Sequence, residues 1–499
     1  MSAIGNAGRP SPATLERDRH AAASTPAKGI ASGQIPSASL RLPGPPPSFA
    51  LFLLDLSIIA ICWPALLAVT GLWSQSVLIG GLERLVYPSA ALAMLYVLGL
   101  YRRDMILETR KALGRLPLAT GLGCFAALVL LALLGAPAGD QARLFFAAFG
   151  CGTASATLAR IGFYALRRRG LFRRRLLVLG AGRRAWDLVW MLGHEGRNLH
   201  YRFVFVHDPA LGEIDKRLAD GDSGPVVHID RRGVLSVARR FAVEQIVVAP
   251  DERRGMDLEE LLRCKIAGFP VKQYLGFVEK EIQRIDLKRM ELGWLLFSDG
   301  FSFGLIDRLL KRLLDLGVSS VMLLAFAPVL LAAAVAISLD DRGPVLYRQE
   351  RVTQQGRVFH IMKLRTMRVD AERQGAVWAA DKDSRITRVG AFLRRTRIDE
   401  MPQLFNVLRG DMSLVGPRPE RPGFVAMLAE HLPLYHERHM VKAGLTGWAQ
   451  INYPYGASID DARSKLSYDL YYVKNFSILF DMLIIAQTLR VVFWPGGVR

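Results

Sequence analysis

Cysteine is scarce in this chain, four residues in 499, and Cys62, Cys124, Cys151 and Cys264 show no paired spacing. This pattern argues against a disulfide framework and a cysteine-ligated zinc site; three of the four lie in apolar runs, where a small packing residue suits. The helical His-Glu-x-x-His spacing of metalloproteases is missing as well. His431, His436 and His439 fall near Glu437 out of that register, so solvated helix positions explain them better than a metal centre. Residues 1–47 lack the charged-then-apolar layout of a cleaved secretion signal and are rich in Pro, Ala, Ser and Gly. They read as a disordered cytoplasmic tail. No internal repeat of solenoid period occurs.

Acidic residues are outnumbered, 45 against 65 Lys and Arg, for a net charge of +20. The excess flanks apolar runs and fills the C-terminal third, so the implied partners are phospholipid headgroups, nucleotides or phosphorylated lipids; nucleic acid fits less well. An apolar fraction of 51% is high for a soluble chain with this many charges and implies a membrane portion. Apolar runs at 48–73, 85–101, 116–136 and 143–166 each approach the roughly 20 residues a helix needs to cross the hydrocarbon. They predict a four-transmembrane-helix bundle over 48–168. Basic clusters follow the second run (Arg102, Arg103, Arg110, Lys111) and the fourth (Arg167 to Arg169, Arg173 to Arg175), which places both ends of the bundle in the cytoplasm.

A Rossmann-like α/β domain is predicted over 173–290. Leu176 to Ala185 reads as a strand, a glycine turn and a helix, and a second strand from Phe203 to Val206 ends at Asp208. Further strands at Gln245 to Ala249 and Phe269 to Val271 alternate with helical stretches such as Leu258 to Ile266, as a doubly wound sheet requires. Gly180, Gly182 and Ala185 approximate G-x-G-x-x-A, a weak cofactor-binding signal; the alternative is a regulatory or dimerising domain with tight turns. Residues 291–304 read as a linker.

The run 313–339 carries Pro328 near its middle and basic residues on both flanks: Arg308, Lys311 and Arg312 before it, Arg342, Arg348 and Arg351 after. The charge distribution disfavours a crossing. Two helical arms broken at Pro328 would each reach about 20 Å, enough to enter one leaflet and return, so a re-entrant helix is expected. The alternative is a spanning helix with a proline kink. The last apolar stretch, Phe476 to Trp494, is interrupted by Asp481, Gln487 and Arg490 and suits an interfacial amphipathic helix with Trp494 at headgroup depth.

Within this basic C-terminal region Asp399 and Glu400 sit in Arg-Arg-Thr-Arg-Ile-Asp-Glu-Met-Pro-Gln-Leu. A carboxylate can attack a phosphoryl centre if cations offset the repulsion, which for unit charges about 4 Å apart is roughly 4 kcal/mol at an effective dielectric near 20. Pro402 suits the first turn of a helix carrying Leu404, Phe405 and Leu408, leaving the acidic pair at its positive end; helix capping is the plainer reading of the pair alone. Strand period puts Lys363 and Arg365 on one face, within reach of a common anion. In Gly416-Pro417-Arg418-Pro419 two prolines restrict the backbone around one guanidinium, which suits bidentate recognition of phosphate or a base. Asp469 precedes Tyr471-Tyr472-Val473-Lys474-Asn475. Asp481 lies inside an apolar run and needs a partner such as Arg490, a backbone amide or a metal, unless it sits on the polar side of the helix.

Taken in order, Lys363-Leu-Arg-Thr-Met, Asp399-Glu-Met-Pro-Gln-Leu, Gly410 to Pro419, Gly444-Leu-Thr-Gly-Trp-Ala-Gln450 and Asp469-Leu-Tyr-Tyr-Val-Lys-Asn475 resemble the bacterial sugar transferase family, the monotopic phosphoglycosyl transferases, over residues 305–499. The N-terminal bundle and α/β domain look like the long, exopolysaccharide-initiating members. The resemblance implies an α-rich, membrane-associated catalytic domain with a re-entrant helix, transferring a sugar 1-phosphate from a UDP-sugar to undecaprenyl phosphate and releasing UMP. It casts Asp399 as the nucleophile and a ligand of Mg2+, and Glu400 as its helper. Lys363, Arg365, Pro417, Arg418, Pro419, Gln450, Asp469 and Asp481 become substrate-binding candidates. The implied setting is the cytoplasmic face of the bacterial inner membrane, with homo-oligomerisation and contact with other polysaccharide-assembly proteins left open. One departure is Ala327, where the family commonly has Ser before the helix-breaking proline. Two other readings stand beside it. A membrane-bound nucleotide-sugar dehydratase lacks its Tyr-x-x-x-Lys pair here, since Tyr201 and Tyr274 are followed at the fourth position by Phe205 and Val278. A scaffolding role for the N-terminal half stays compatible with catalysis in the remainder.

Overall fold

A computed structural model describes residues 47–71, 79–135, 141–169, 173–195, 200–220, 222–229, 233–301, 304–368, 385–453, 456 and 458–493. The expected N-terminal tail, apart from Pro47, and Trp494 lie outside them. Four helices of the N-terminal region, α1 (Pro47–Val69), α2 (Ile79–Val97), α3 (Thr109–Leu133) and α4 (Gln141–Arg168), pack around Leu51, Tyr87, Leu116, Cys124 and Phe163. Three of them are long and apolar enough to cross a membrane, and the described apolar part of α2 runs from Leu85 to Val97. Gly99, with φ of 74°, turns the chain just after α2, and the Arg490 side chain fills the space a Cβ would need. In the bundle core Asp55 is held by Arg160 at 2.6 Å and by the Tyr101 hydroxyl at 2.8 Å, so neither buried charge is left alone.

The α/β region is a five-stranded, wholly parallel sheet in the order β3-β2-β1-β4-β5, built from β1 (Arg173–Leu179), β2 (His200–His207), β3 (Val226–His228), β4 (Gln245–Val248) and β5 (Val271–Gln273). Helices α5 (Arg183–Glu195), α6 (Gly233–Arg240), α7 (Leu258–Ile266) and α8 (Tyr274–Ile282) cover two apolar faces, one centred on Val178 and Phe205, the other on Leu177 and Ile246. Residues β-branched or aromatic on both faces are what a doubly covered parallel sheet demands. Two details differ from expectation: the three-residue β3 carries too little pattern to be read, and the last strand begins at Val271, because Pro270 serves only as a carbonyl acceptor for Ile246.

The presumed linker is not a plain spacer. It contains a short helix, Leu292–Leu296, whose Trp294 and Leu295 pack with Ile285, Leu432, Tyr435, Leu466 and Leu470. Beyond it, α9 (Leu305–Asp340) continues through Pro328 as one 36-residue helix without the break expected there, and it is long and apolar enough to cross a membrane. Its N-terminal arm is pinned by Arg312, which donates to the Val407 and Leu408 carbonyls, and by Asp315, which accepts from Ser413 Oγ and the Leu414 amide. The C-terminal arm packs Ala333 and Ile337 on Leu364 and Leu393, while Asp340 accepts from the Val389 amide. Between the arms, Leu324 to Val329 are exposed on every side.

The remaining elements form the unit that carries the acidic pair. These are the antiparallel hairpin β6 (Leu346–Val352) and β7 (Val358–Leu364), α10 (Arg388–Thr396), α11 (Gln403–Arg409), the parallel pair β8 (Ser413–Val415) and β9 (Gly444–Thr446), α12 (Pro422–His431), α13 (Trp448–Asn452), α14 (Ile459–Lys474) and α15 (Ile478–Phe493). Asn406 ties α11 to β7, its amide oxygen accepting from Met362 N and its NH2 donating to the His360 carbonyl. Leu404, Val407, Leu414, Trp448, Tyr472 and Ile484 form the core beneath.

Candidate functional site

Arg397 closes α10 in a left-handed conformation (φ 62°), and the chain then makes a single 3-10 turn over Ile398–Glu400 before Pro402 opens α11. This turn sets the two carboxylates in different surroundings. Asp399 is 8% exposed, and its Oδ1 is buried without any hydrogen-bond partner. An unmet buried oxygen costs on the order of 1–3 kcal/mol, which makes this atom a candidate contact for a bound group. Glu400 Oε1 lies 3.5 Å from Lys363 Nζ, 3.6 Å from Arg397 and 3.8 Å from Arg418.

The titration tendencies diverge accordingly. Burial, then the neighbouring Glu400 charge, raises the Asp399 pKa above the ordinary aspartate value, against the opposing pull of Lys363, Arg394 and Arg397. For Glu400 burial acts in the same direction, but Arg418, Lys363 and Arg397 outweigh it and hold the carboxyl below the usual glutamate value. Lys363 is lowered by burial and by Arg418, with Glu400 opposing. Glu400 is thus the fixed anion of the pair and Asp399 the more basic one.

Both carboxylates line a cavity of about 1030 Å³. Its lining is rich in cations, with Lys363, Arg365, Arg394, Arg418, Arg421 and Lys465 among many others, against four carboxylates, Asp399, Glu400, Glu420 and Asp469. It also has an apolar part, in which Val318 and Met322 of α9, Leu445 and Ile485 of α15 belong to one hydrophobic cluster. A compartment of this kind accommodates a polyanion with an apolar tail.

Lys363, Arg365, Arg418, Gln450 and Asp469 all line this cavity, and Gln450 keeps a buried Oε1 without a partner. Arg365 donates through Nη2 to the Asp341 carbonyl, while its Nη1 is buried without a partner. Pro417 and Pro419 are not part of the lining; they shape the loop that presents Arg418. Asp469 is 2% exposed and paired with Arg438 Nη2 at 2.8 Å, which leaves it a supporting role. Asp481 corrects the sequence reading: it is fully buried away from the lining, accepting from Lys311 Nζ at 2.6 Å and the Tyr472 hydroxyl at 2.7 Å, and it does not meet Arg490. Its charge fastens α9 to α15. His439 also departs from the solvated reading, since it is buried, and burial with the Arg438 charge lowers its pKa to about 4.

Among the described residues no cluster of three or more His, Cys, Asp or Glu side chains forms a ready-made metal site. The donors present nonetheless fit Mg2+, which is typically held by one or two carboxylates together with substrate phosphate oxygens, and the unpartnered Asp399 oxygen beside Glu400 supplies that part. In the α/β region the corresponding test goes the other way. Asp251 accepts from the Arg183 and Arg184 amides at 2.7 and 2.8 Å and so occupies the N-terminus of α5, where a dinucleotide phosphate would sit. A Cβ on Gly182 would run into that carboxylate, so Gly182 makes room for Asp251, and Gly180 for the Ala249 carbonyl.

Residues 306–495 match the protein family described as bacterial sugar transferase. The chain is 42% identical over 290 residues to a UDP-N-acetylgalactosamine-undecaprenyl-phosphate N-acetylgalactosaminephosphotransferase of Aeromonas hydrophila, covering 56% of this chain and 67% of the relative. It is 34% identical over 341 residues to an undecaprenyl-phosphate glucose phosphotransferase of Komagataeibacter xylinus, covering 64% of this chain and 58% of the relative. A third relative, the exopolysaccharide production protein PSS of Rhizobium leguminosarum bv. phaseoli, is 46% identical over 190 residues, which are 37% of this chain but 95% of that protein. The chain belongs to the bacterial sugar transferase family.

Proposed function

We propose that this protein transfers a sugar 1-phosphate from a UDP-sugar to undecaprenyl phosphate, giving undecaprenyl-diphospho-sugar and UMP, as the first membrane step of exopolysaccharide or related glycan assembly. The observation that carries the reading is the buried, unpartnered oxygen of Asp399 in a cationic cavity that has an apolar wall. The named activities of the relatives support the substrate class.

Two displacements at one phosphorus account for the chemistry. An Asp399 oxygen attacks the sugar-bearing phosphorus of the UDP-sugar; the bond to the bridging oxygen breaks, and UMP leaves with the electron pair. The sugar phosphate is then held on Asp399 as an acyl phosphate. A phosphate oxygen of undecaprenyl phosphate next attacks the same phosphorus, and the Asp399 carboxylate departs as it was. Lys363, Arg397 and Arg418 lie close enough to Glu400 to form a preorganised cationic cradle for the charge that develops on the phosphates. Glu400 keeps those cations in place and raises the basicity of Asp399. Mg2+, when bound, would neutralise diphosphate charge beside Asp399.

On this reading α9 is re-entrant. What supports it is that both ends of the helix pack on the same unit while its middle around Pro328 is exposed all round. Basic residues at both ends of α9 and after α2 and α4 support a catalytic unit at the cytoplasmic surface of the inner membrane. The α/β region is taken as a Rossmann-type scaffold whose phosphate position is filled by Asp251. Asp399→Asn in purified membranes supplied with UDP-sugars and undecaprenyl phosphate is expected to abolish UMP release. Full UMP formation by that variant would refute the mechanism.

A further inference from the structure

The loop that presents Arg418 is held by its carbonyls. The oxygens of four successive residues are each captured by a donor from elsewhere in the unit: Pro417 by the Gly444 amide at 2.9 Å, Arg418 by Arg438 Nη2 at 3.0 Å, Pro419 by Arg351 Nη1 at 3.0 Å and Glu420 by the Val352 amide at 2.9 Å. The loop's first residue, Gly416, donates to Thr446 and approaches Gly444 so closely that a Cβ on either would strike backbone. Two of the four donors are side chains, and both are arginines.

Arg438 is the more committed of the two. It is 5% exposed, and while one Nη bonds the Arg418 carbonyl and Asp469, the other donates to the Tyr435 hydroxyl at 2.8 Å. Its Nε is buried without a partner, so solvent does not reach it. Asp469 and Tyr435 therefore aim the guanidinium, and the guanidinium holds the backbone directly under the Arg418 side chain. Arg351 does the same one residue on, steadied by Gln349 Oε1 at 2.7 Å. The planar fork is what allows one side chain to serve three acceptors in fixed directions; an ammonium on a flexible stem does not.

We infer that Arg438, assisted by Arg351, is a positioning residue of the transferase: it fixes the Pro417-Arg418-Pro419 backbone so that the Arg418 guanidinium is aligned on the phosphates before substrate arrives. Asp469, which also lines the cavity, then acts on Arg418 through Arg438. This inference rests on the transferase reading above.

The test is a double-mutant cycle on the full chain, with UMP release measured from a panel of UDP-hexoses in the presence of undecaprenyl phosphate. Arg438→Lys in the wild-type background is expected to lower kcat/KM about tenfold or more, as loss of a charge-assisted contact in a preorganised site does. In the Arg418→Ala background the same change is expected to alter kcat/KM by less than about twofold, because the group it aligns is already gone. Unchanged kcat/KM for Arg438→Lys, or losses that multiply independently of Arg418, would overturn the inference. A wild-type protein that releases no UMP from any UDP-hexose would instead overturn the transferase reading beneath it. Should Arg438→Lys not fold, as judged by its thermal unfolding, Tyr435→Phe serves: it removes one steering hydroxyl, and a reduced kcat/KM confined to the background that retains Arg418 is the expected result. An equal reduction in both backgrounds would contradict it.

Discussion

At the residue scale the acidic pair divides its labour by environment. As the proposed nucleophile Asp399 would have to be ionised, and its pKa is raised by burial and by Glu400, so kcat/KM should fall on the acid side as pH drops through a value above the ordinary aspartate range. Glu400→Gln removes a neighbouring negative charge and should move that acid limb to lower pH; Lys363→Met removes a cation and should move it to higher pH. Profiles of kcat/KM for the three proteins check both signs, whatever the rates themselves become. The pair and the Pro-Arg-Pro loop were readable in the sequence because their residues are adjacent. Arg438 was not, since its partners Arg418 and Asp469 lie 20 and 31 positions away and one arginine among 65 basic residues carries no local mark. Asp481 was misread for the same reason: its partner Lys311 is 170 positions distant.

At the scale of elements α9 decides the architecture. Its composition and Pro328 were plain in the sequence, and so were the flanking charges, but the contacts that pin its two arms were not. Lys311, Arg312 and Asp315 fasten one arm, and Asp340, Ala333 and Ile337 the other. If the helix enters and leaves by one leaflet, single cysteines replacing Leu305 and Arg342, in a chain whose own four cysteines are substituted, should both react with an impermeant thiol reagent applied from the cytoplasmic side. Labelling of the two from opposite sides would mean a spanning helix. The alternation of helices and strands in the α/β region was legible because long apolar runs mark β1, β2 and β4. The glycine turn alone could not show what fills it, because the carboxylate there, Asp251, comes from the end of a different strand.

At the scale of the whole molecule the α/β region buttresses the catalytic unit. Glu279 of α8 pairs with Lys474 at 2.8 Å, the Gln283 carbonyl accepts from Trp448 Nε1 at 2.8 Å, and the Ile285 amide donates to the Ser467 carbonyl at 3.1 Å. These contacts fall on α13 and α14, which carry Gln450 and Asp469. Glu279→Ala strands a buried ammonium and should lower stability by about 3 kcal/mol in thermal or denaturant unfolding. Removing residues 1–300 should leave UMP formation in place but at reduced stability, since the Rhizobium relative is almost wholly spanned by a match to 37% of this chain. Loss of all turnover from a folded truncated protein would give the front half a part in the chemistry. The most direct measurement for the account as a whole is made without acceptor. Full-length protein is mixed with UDP-sugars labelled in the sugar, and protein-bound label, UMP and the modified peptide are followed. About one UMP per active site is expected together with label on the peptide containing Asp399, both absent in Asp399→Asn and the label discharged by undecaprenyl phosphate. UMP formation only when undecaprenyl phosphate is present, with no label on the protein, would contradict it.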